Sequence, residues 1–227
     1  MIGSTATATG MSGWLRSRCD GVWGTLLDHP FVSDLAAGTL PLEAFRFYIE
    51  QDILFLDDYA RAIGLAVGRA ADEDELHELT RQLATVVEEE IEKERVLLRR
   101  VDELLGTASA PAPRPAATTQ AYSNFLIATA ARGDALDVMT ALLPCAWSYA
   151  EIGRAHLATT AEHPVYTDWM RLFGGDDYLH YVERRLASYD RFSARVSESR
   201  RERLLELFLT ATRLEAAFWD MAYNEED

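Results

Sequence analysis

Apolar side chains recur along most of this chain at alternating steps of three and four residues, the spacing that lines one face of an α-helix. Leu42, Phe45, Ile49, Asp52, Leu56, Tyr59 and Ile63 make one such stripe. Val138, Leu142, Cys145, Tyr149 and Ile152 make a second, and Leu204, Phe208, Ala211, Glu215, Phe218 and Ala222 a third. Period-two alternation, the mark of a half-buried strand, is nowhere sustained, so the expected fold is all-α, with helices packed through their stripes. Each stripe is broken once by a reactive side chain: Asp52, Cys145 and Glu215. A carboxylate on a core face is costly unless it finds partners. Two carboxylates and a thiol directed inward from three helices therefore point to a polar site inside a helical domain.

The breaks between stripes set the element order. A first helix is expected over Gly13–Leu27, ending at His29–Pro30, and Ser33–Gly38 reads as a short helical turn closed by glycine. Thr39 and Pro41 open a long helix to Arg69. Asp72, with Glu75 three residues on, caps another that runs to Leu105. Its charge-rich Glu88–Glu94 stretch reads as a solvated face. Thr107–Thr119, with its PAPRPAATT run, reads as an extended loop. Helices follow over Thr119–Ala131, Leu136–Thr160 and Pro164–Phe173, then from Asp176 or Asp177 to Val196, and from Ser197–Ser199 to Tyr223. The sum is seven or eight principal helices in a single helical-bundle domain over residues 13–224. Residues 1–12 are expected to be disordered.

Composition narrows the partners. A chain of 227 residues, 48% of them hydrophobic, supports one sizeable core. The formal net charge is −15, and Lys93 is the single lysine. An acidic surface opposes phosphate backbones and anionic lipid, so neither nucleic acid nor a membrane surface is an expected partner. The apolar runs are far too short to span a bilayer as a helix. Cys19 and Cys145 are too few for a disulfide framework and read as free thiols of a cytoplasmic protein. The small, polar start has neither the basic patch nor the apolar run of a signal peptide.

Each polar interruption has a plain explanation and a chemical one. A lone cysteine on an apolar face is usually a buried small hydrophobe. Yet Pro144 precedes Cys145, removes a backbone donor and bends the helix, which is one way to open a pocket between helices. Asp52 serves a tyrosine hydroxyl or an arginine, or else accepts from the amino group or protonated nitrogen of a heteroaromatic ligand. Glu215 pairs with an arginine such as Arg213 or Arg154, or else, with Phe218 and Trp219 one turn on, is a general acid or base whose carboxyl is raised by apolar walls. Tyr122 and Tyr149 neighbour these positions and suit a flat pocket that stacks a planar ring. No phosphate-cradling glycine loop, HExxH or CxxC occurs. Asp74 with His77, and Asp177 with His180, have a spacing that binds iron or manganese in some bundles. Both pairs fall at helix starts, where aspartate is more simply a cap, so no metal is expected. His29 and His163 precede prolines and read as turn residues; His156 reads as packed.

At these residues the chain resembles the TenA, or thiaminase II, family, whose fold is all-α and of the haem-oxygenase-like type. The matching stretches are FRFYIEQDILFLDDYAR (Phe45–Arg61), LLPCAWSYAEIG (Leu142–Gly153) and LEAAFWDMA (Leu214–Ala222). HPVYTDWMRLF (His163–Phe173) and Tyr122 fall at the expected intervals, and the resemblance runs from Gly13 to Tyr223. It implies hydrolysis of an aminomethylpyrimidine to hydroxymethylpyrimidine and ammonia in thiamin salvage, with thiamin cleavage by some members. By position, Cys145 matches the nucleophile, Glu215 the group that exchanges protons with leaving group and water, and Asp52 the carboxylate that holds the ring's amino and nitrogen edge. Tyr122 and Tyr149 match pocket tyrosines, and Phe55, Phe173 and Phe218 complete the expected substrate-binding set. The cysteine-containing branch commonly carries tyrosine where this chain has Phe55 and Phe173. A missing charge-assisted hydrogen bond is worth roughly 1.5–3 kcal/mol, or about one to two decades in rate, so an altered substrate or weaker turnover is expected.

The expected enzyme is therefore a cofactor-free aminopyrimidine aminohydrolase with a small pyrimidine as its partner, assembled as a homo-oligomer, a tetramer by resemblance. Two other classes stay open on the residues alone: an oxidase of the same fold, as in quinone-cofactor synthesis, and a non-catalytic pyrimidine-binding or regulatory protein.

Overall fold

The computed structural model describes residues 10–107 and 113–226, and their regular structure is helical throughout. The α-helices are α1 (Met11–Ser17), α2 (Asp20–Leu27), α3 (Pro30–Ala37), α4 (Leu42–Val67), α5 (Glu73–Thr85), α6 (Ile91–Leu105), α7 (Ala117–Arg132), α8 (Ala135–His156), α9 (Tyr166–Gly174), α10 (Asp176–Ser193) and α11 (Glu198–Asn224). A π-helical segment, Val86–Glu90, joins α5 to α6. Among the described residues no helix is long and apolar enough to cross a membrane.

Local chemistry explains most of the boundaries. The His29 imidazole accepts from the Phe31 amide at 3.1 Å, Pro30 supplies a pre-set φ at the first turn, and Gly38 closes α3 at φ 74°. The Asp72 carboxylate accepts from the Glu75 amide at 2.9 Å, while the Glu75 side chain reaches back to the Ala71 amide at 2.8 Å. The expected first helix is instead two. The amides of Arg18 and Cys19 turn back to the carbonyls of Leu15 and Arg16, a tight three-residue closure that ends α1 before α2 begins. Residues 1–9, most of the stretch expected to be disordered, lie outside the described residues. Met11 and Ser12 belong to α1, where Ser12 donates to Asp190 from its amide (2.7 Å) and its hydroxyl (2.9 Å).

The long helix expected from Asp72 to Leu105 also differs, and the difference has consequences. Along it the buried positions run Glu78, Leu79, Gln82, Val86, Ile91, Glu94, Leu97 and Val101. The step from Val86 to Ile91 is five residues, one more than an α-helical turn spans, and the π-helical segment absorbs it. Past that point the inward face is displaced by one residue. Lys93 turns outward to Glu89 at 3.0 Å and Glu94 turns inward. Glu94 is therefore no part of a solvated face, although Glu88, Glu89 and Glu92 are exposed.

The described residues within Met1–Gly38 and Met139–Ala216 form one compact unit, and those within Thr39–Val138 and Ala217–Asp227 the other. In the first, Trp23 stacks on Phe208 (5.8 Å between centroids) and meets Trp147 edge-on at 5.5 Å. Its indole donates to Glu151 at 2.9 Å, so the polar end of a fully buried ring is satisfied. In the second, α4 is the common partner of α5, α6 and α7.

Candidate active site

Helix α8 carries the thiol. Pro144 lies inside it and has no N–H for the carbonyl of Thr140, one turn earlier. The Thr140 hydroxyl lies 2.9 Å from that of Tyr189, which ties α8 to α10 on this weakened turn. From Ala135 to Ala150 every residue is buried except Cys145, which is half-buried. The other cysteine contrasts with it. Cys19 is fully buried, and desolvation pushes its thiol up against a hydrogen bond from Thr212 that lowers it, so it is chemically quiet.

One turn after Cys145, Tyr149 packs edge-on against Phe173 of α9, with centroids 4.8 Å apart, and against Trp169 at 5.6 Å. Phe173 also meets Trp169 at 4.7 Å and Tyr178 at 5.0 Å. These rings can close up because α8 and α9 touch backbone to backbone at Gly153 and Gly174, where a Cβ on either would collide with the other's main chain. Two of the expected pocket residues are thus brought together. Glu215 completes the first unit's set; it is 3% exposed on α11, on the face shared with Phe208 and Ala211.

The second unit holds the remaining candidates. Asp52 is buried on α4, and Phe55, one turn on, lies 4.5 Å from the Tyr122 ring and 5.9 Å from the Phe218 ring. Three more expected residues therefore share one aromatic cluster, and all three are almost wholly buried. Helix α7 is aligned to it from outside its own sequence. Its first residues lack a side-chain cap of their own. Gln51, next to Asp52, supplies one: its carbonyl accepts from the Ala116 amide (2.9 Å) and the Thr119 hydroxyl (2.8 Å), and its amide donates to the Arg114 carbonyl (3.0 Å). Tyr122 lies one turn beyond Thr119.

Two residues of this neighbourhood were not singled out from the sequence. Gln51 could have been, because a glutamine beside an inward aspartate on a stripe has no solvent to serve. Glu94 could not, because its burial depends on the π-helical step. Elsewhere, His77 is exposed and 3.8 Å from Glu73. No group of three or more His, Cys, Asp or Glu side chains among the described residues could hold a metal ion. His29 and His163 serve turns, the latter accepting from the Val165 and Tyr166 amides at 3.4 and 3.3 Å. His156 is only half-buried; desolvation pushes its imidazole below the ordinary value, with Asp28 opposing.

Residues 16–225 match the model of a family described as TENA/THI-4/PQQC. The aminopyrimidine aminohydrolase of Halalkalibacterium halodurans is 33% identical over 213 residues, covering 93% of this chain and 94% of that protein. A solved TenA homologue from P. horikoshii OT3 superposes with a TM-score of 0.84 at 32% identity, over 95% of this chain and 99% of that one. A domain of unknown function with a heme oxygenase-like fold from Shewanella denitrificans superposes with a TM-score of 0.68 over 93% of this chain and 91% of that one. At 12% identity that likeness speaks for the fold alone, which is the all-α, haem-oxygenase-like fold expected.

Proposed function

The chain belongs to the TENA/THI-4/PQQC family, and on that premise we propose that it is an aminopyrimidine aminohydrolase of thiamin salvage. Its substrate is 4-amino-5-aminomethyl-2-methylpyrimidine, which it converts with water to the hydroxymethylpyrimidine and ammonia. The observation that carries this reading is Cys145. It alone is half-buried between Ala135 and Ala150, where every other residue is buried, and it directly follows a proline inside the helix. A thiol held only for packing would be covered, as Cys19 is.

The reaction runs through a covalent adduct. The Cys145 thiolate adds to an electron-poor ring carbon, and a ring nitrogen takes a proton. The exocyclic amine leaves as ammonia with a proton from Glu215. Water adds to the exocyclic carbon and returns a proton to Glu215. The thiolate then departs as the ring nitrogen gives up its proton. Burial of Glu215 among apolar side chains suits a carboxyl that must both give and take a proton. Through the family resemblance, Asp52 is the carboxylate for the ring's amino and nitrogen edge, and Tyr122, Tyr149, Phe55, Phe173 and Phe218 are the substrate-binding residues. A thiolate nucleophile needs a reducing compartment, which favours the cytoplasm. A homotetramer goes with the reading through the family resemblance.

The test is product analysis. Incubation with the aminomethylpyrimidine should release ammonia and hydroxymethylpyrimidine in equal amounts, and a parallel incubation with thiamin reads whether the thiazole also leaves. Binding without turnover of either compound would contradict the proposal.

A further inference from the structure

Within the second unit, one buried hydroxyl has neither a role in that reaction nor a partner in the protein. Ser123 of α7 is 5% exposed, and its Oγ has no hydrogen-bond partner among the described residues. A serine inside a helix has an acceptor close at hand, the carbonyl three or four residues earlier. Other buried hydroxyls of this chain use it. Ser193 donates to the Tyr189 carbonyl (2.6 Å), Thr212 to that of Phe208 (2.8 Å) and Ser148 to that of Cys145 (3.2 Å). Ser123 does not make this bond. A buried polar group left unsatisfied destabilises a fold, so a hydroxyl kept in this state points to a partner from outside the chain.

The register of α7 on α4 places that hydroxyl. Thr119, Ser123, Leu126 and Ala130 follow one another at steps of four, three and four and are all buried, so they form one inward row. Thr119 binds Gln51 of α4 at 2.8 Å, which turns this row toward α4. One turn further along both helices, Tyr122 meets Phe55 at 4.5 Å. Ser123, the residue after Tyr122, therefore stands at the level of Phe55, one turn along α4 from Asp52. The chemistry there lacks a donor. A pyrimidine has two ring nitrogens that accept hydrogen bonds, whereas its exocyclic amino group donates. The carboxylate of an aspartate accepts only, so it serves the amino group and leaves a neutral ring nitrogen unserved. The phenyl rings of Phe55 and Phe218 have nothing to donate. A serine O–H does.

We propose that Ser123 is a further substrate-binding residue: its hydroxyl, unengaged within the protein, donates a hydrogen bond to a neutral ring nitrogen of the pyrimidine. The inference rests on the function proposed above and adds the donor that its recognition site needs. Ser123 forms no covalent bond and moves no proton in the reaction.

Binding of the product, hydroxymethylpyrimidine, tests this without turnover. Ser123→Ala should bind it about tenfold more weakly than the wild type. The ligand-free proteins supply a readout that a structural role would move the other way. Removing an unsatisfied buried hydroxyl should leave the unfolding midpoint of Ser123→Ala no lower than that of the wild type. A lower midpoint shows that the hydroxyl supports the fold, and equal product affinities show that it does not meet the ligand; either result overturns the proposal. Two pyridine analogues of the product, each with one ring nitrogen replaced by C–H, identify the contact. One of them should bind the wild type and Ser123→Ala equally, because the bond that the variant lacks is already gone. If both analogues still bind the variant about tenfold more weakly, the hydroxyl meets another group and the proposal falls. A wild type that binds the product yet turns over no aminomethylpyrimidine sinks the proposed function and leaves the Ser123 contact to be decided by these affinities. A wild type that binds no pyrimidine overturns both.

Discussion

Gly153 of α8 and Gly174 of α9 meet main chain to main chain: a Cβ on Gly174 would lie 2.5 Å from both the carbonyl carbon and the carbonyl oxygen of Gly153. Only glycine permits that approach, and the approach brings Phe173, the residue before Gly174, against Tyr149. Gly174→Ala must push the helices apart, and overpacking of this kind costs about 1–3 kcal/mol. Urea unfolding should register that loss. Activity should fall further than stability alone explains, because Tyr149 and Phe173 separate. A variant as stable and as active as the wild type would show that the contact can yield.

Gln51 is the outside cap of α7. Gln51→Leu keeps the volume of the side chain but leaves the Ala116 amide and Thr119 hydroxyl without their acceptor. A buried donor left unsatisfied costs about 1–3 kcal/mol. The expected result is a lower unfolding midpoint and a raised KM, since Tyr122 rides on the first turns of α7. Hydrogen exchange at the Ala116 amide checks the cause and should accelerate in the variant.

How much of this was legible beforehand follows from which forces are local. The inward stripes of α4, α8 and α11, and the caps at Asp72 and Gly38, depend on spacing and side-chain type within one helix, and both can be read from the sequence. So can the candidate set, because Asp52, Cys145 and Glu215 each break a stripe; Phe55, Tyr122 and Phe218 then prove to share one cluster, and Tyr149 and Phe173 another. The π-helical segment was not legible. Its five-residue step is invisible in a pattern that fits an uninterrupted helix nearly as well, and reading straight through placed Glu94 outside. The break at Arg18–Cys19 was missed because apolar spacing continues across it. Gln51's bonds join parts of the chain more than sixty residues apart, as the separation from Arg114 and Thr119 requires.

Phe55 stands one turn from Asp52, where the resemblance calls for tyrosine. Phe55→Tyr supplies a donor on that face, and a recovered hydrogen bond of about 1.4 kcal/mol corresponds to roughly tenfold in rate. Side-by-side kcat/KM measurements on the aminomethylpyrimidine should show that gain. An unchanged or lower value would mean that the phenylalanine belongs to a different substrate.

His156 gives the pH dependence of stability a definite sign. Desolvation holds its imidazole below the ordinary value of 6.5, against an opposing effect of Asp28. The unfolded chain therefore takes the proton first as pH falls. Stability should decline on acidification through the ordinary value and level off below the folded one. His163, also lowered by burial, acts in the same direction. Glu94 acts in the other, because a raised carboxyl loses stability as pH rises through and above the ordinary carboxylate range. On acidification through the ordinary histidine value, the unfolding midpoint should fall less in His156→Gln than in the wild type, with the Glu94 effect common to both.

The most direct test of the account is turnover of the aminomethylpyrimidine by Cys145→Ser, with binding of the hydroxymethylpyrimidine product measured on the same sample. A serine hydroxyl is far less ionised than a thiol and cannot form the ring adduct at a useful rate. The account predicts a loss of about a thousandfold or more in kcat with product affinity retained. Ammonia release by Cys145→Ser at the wild-type rate would contradict it.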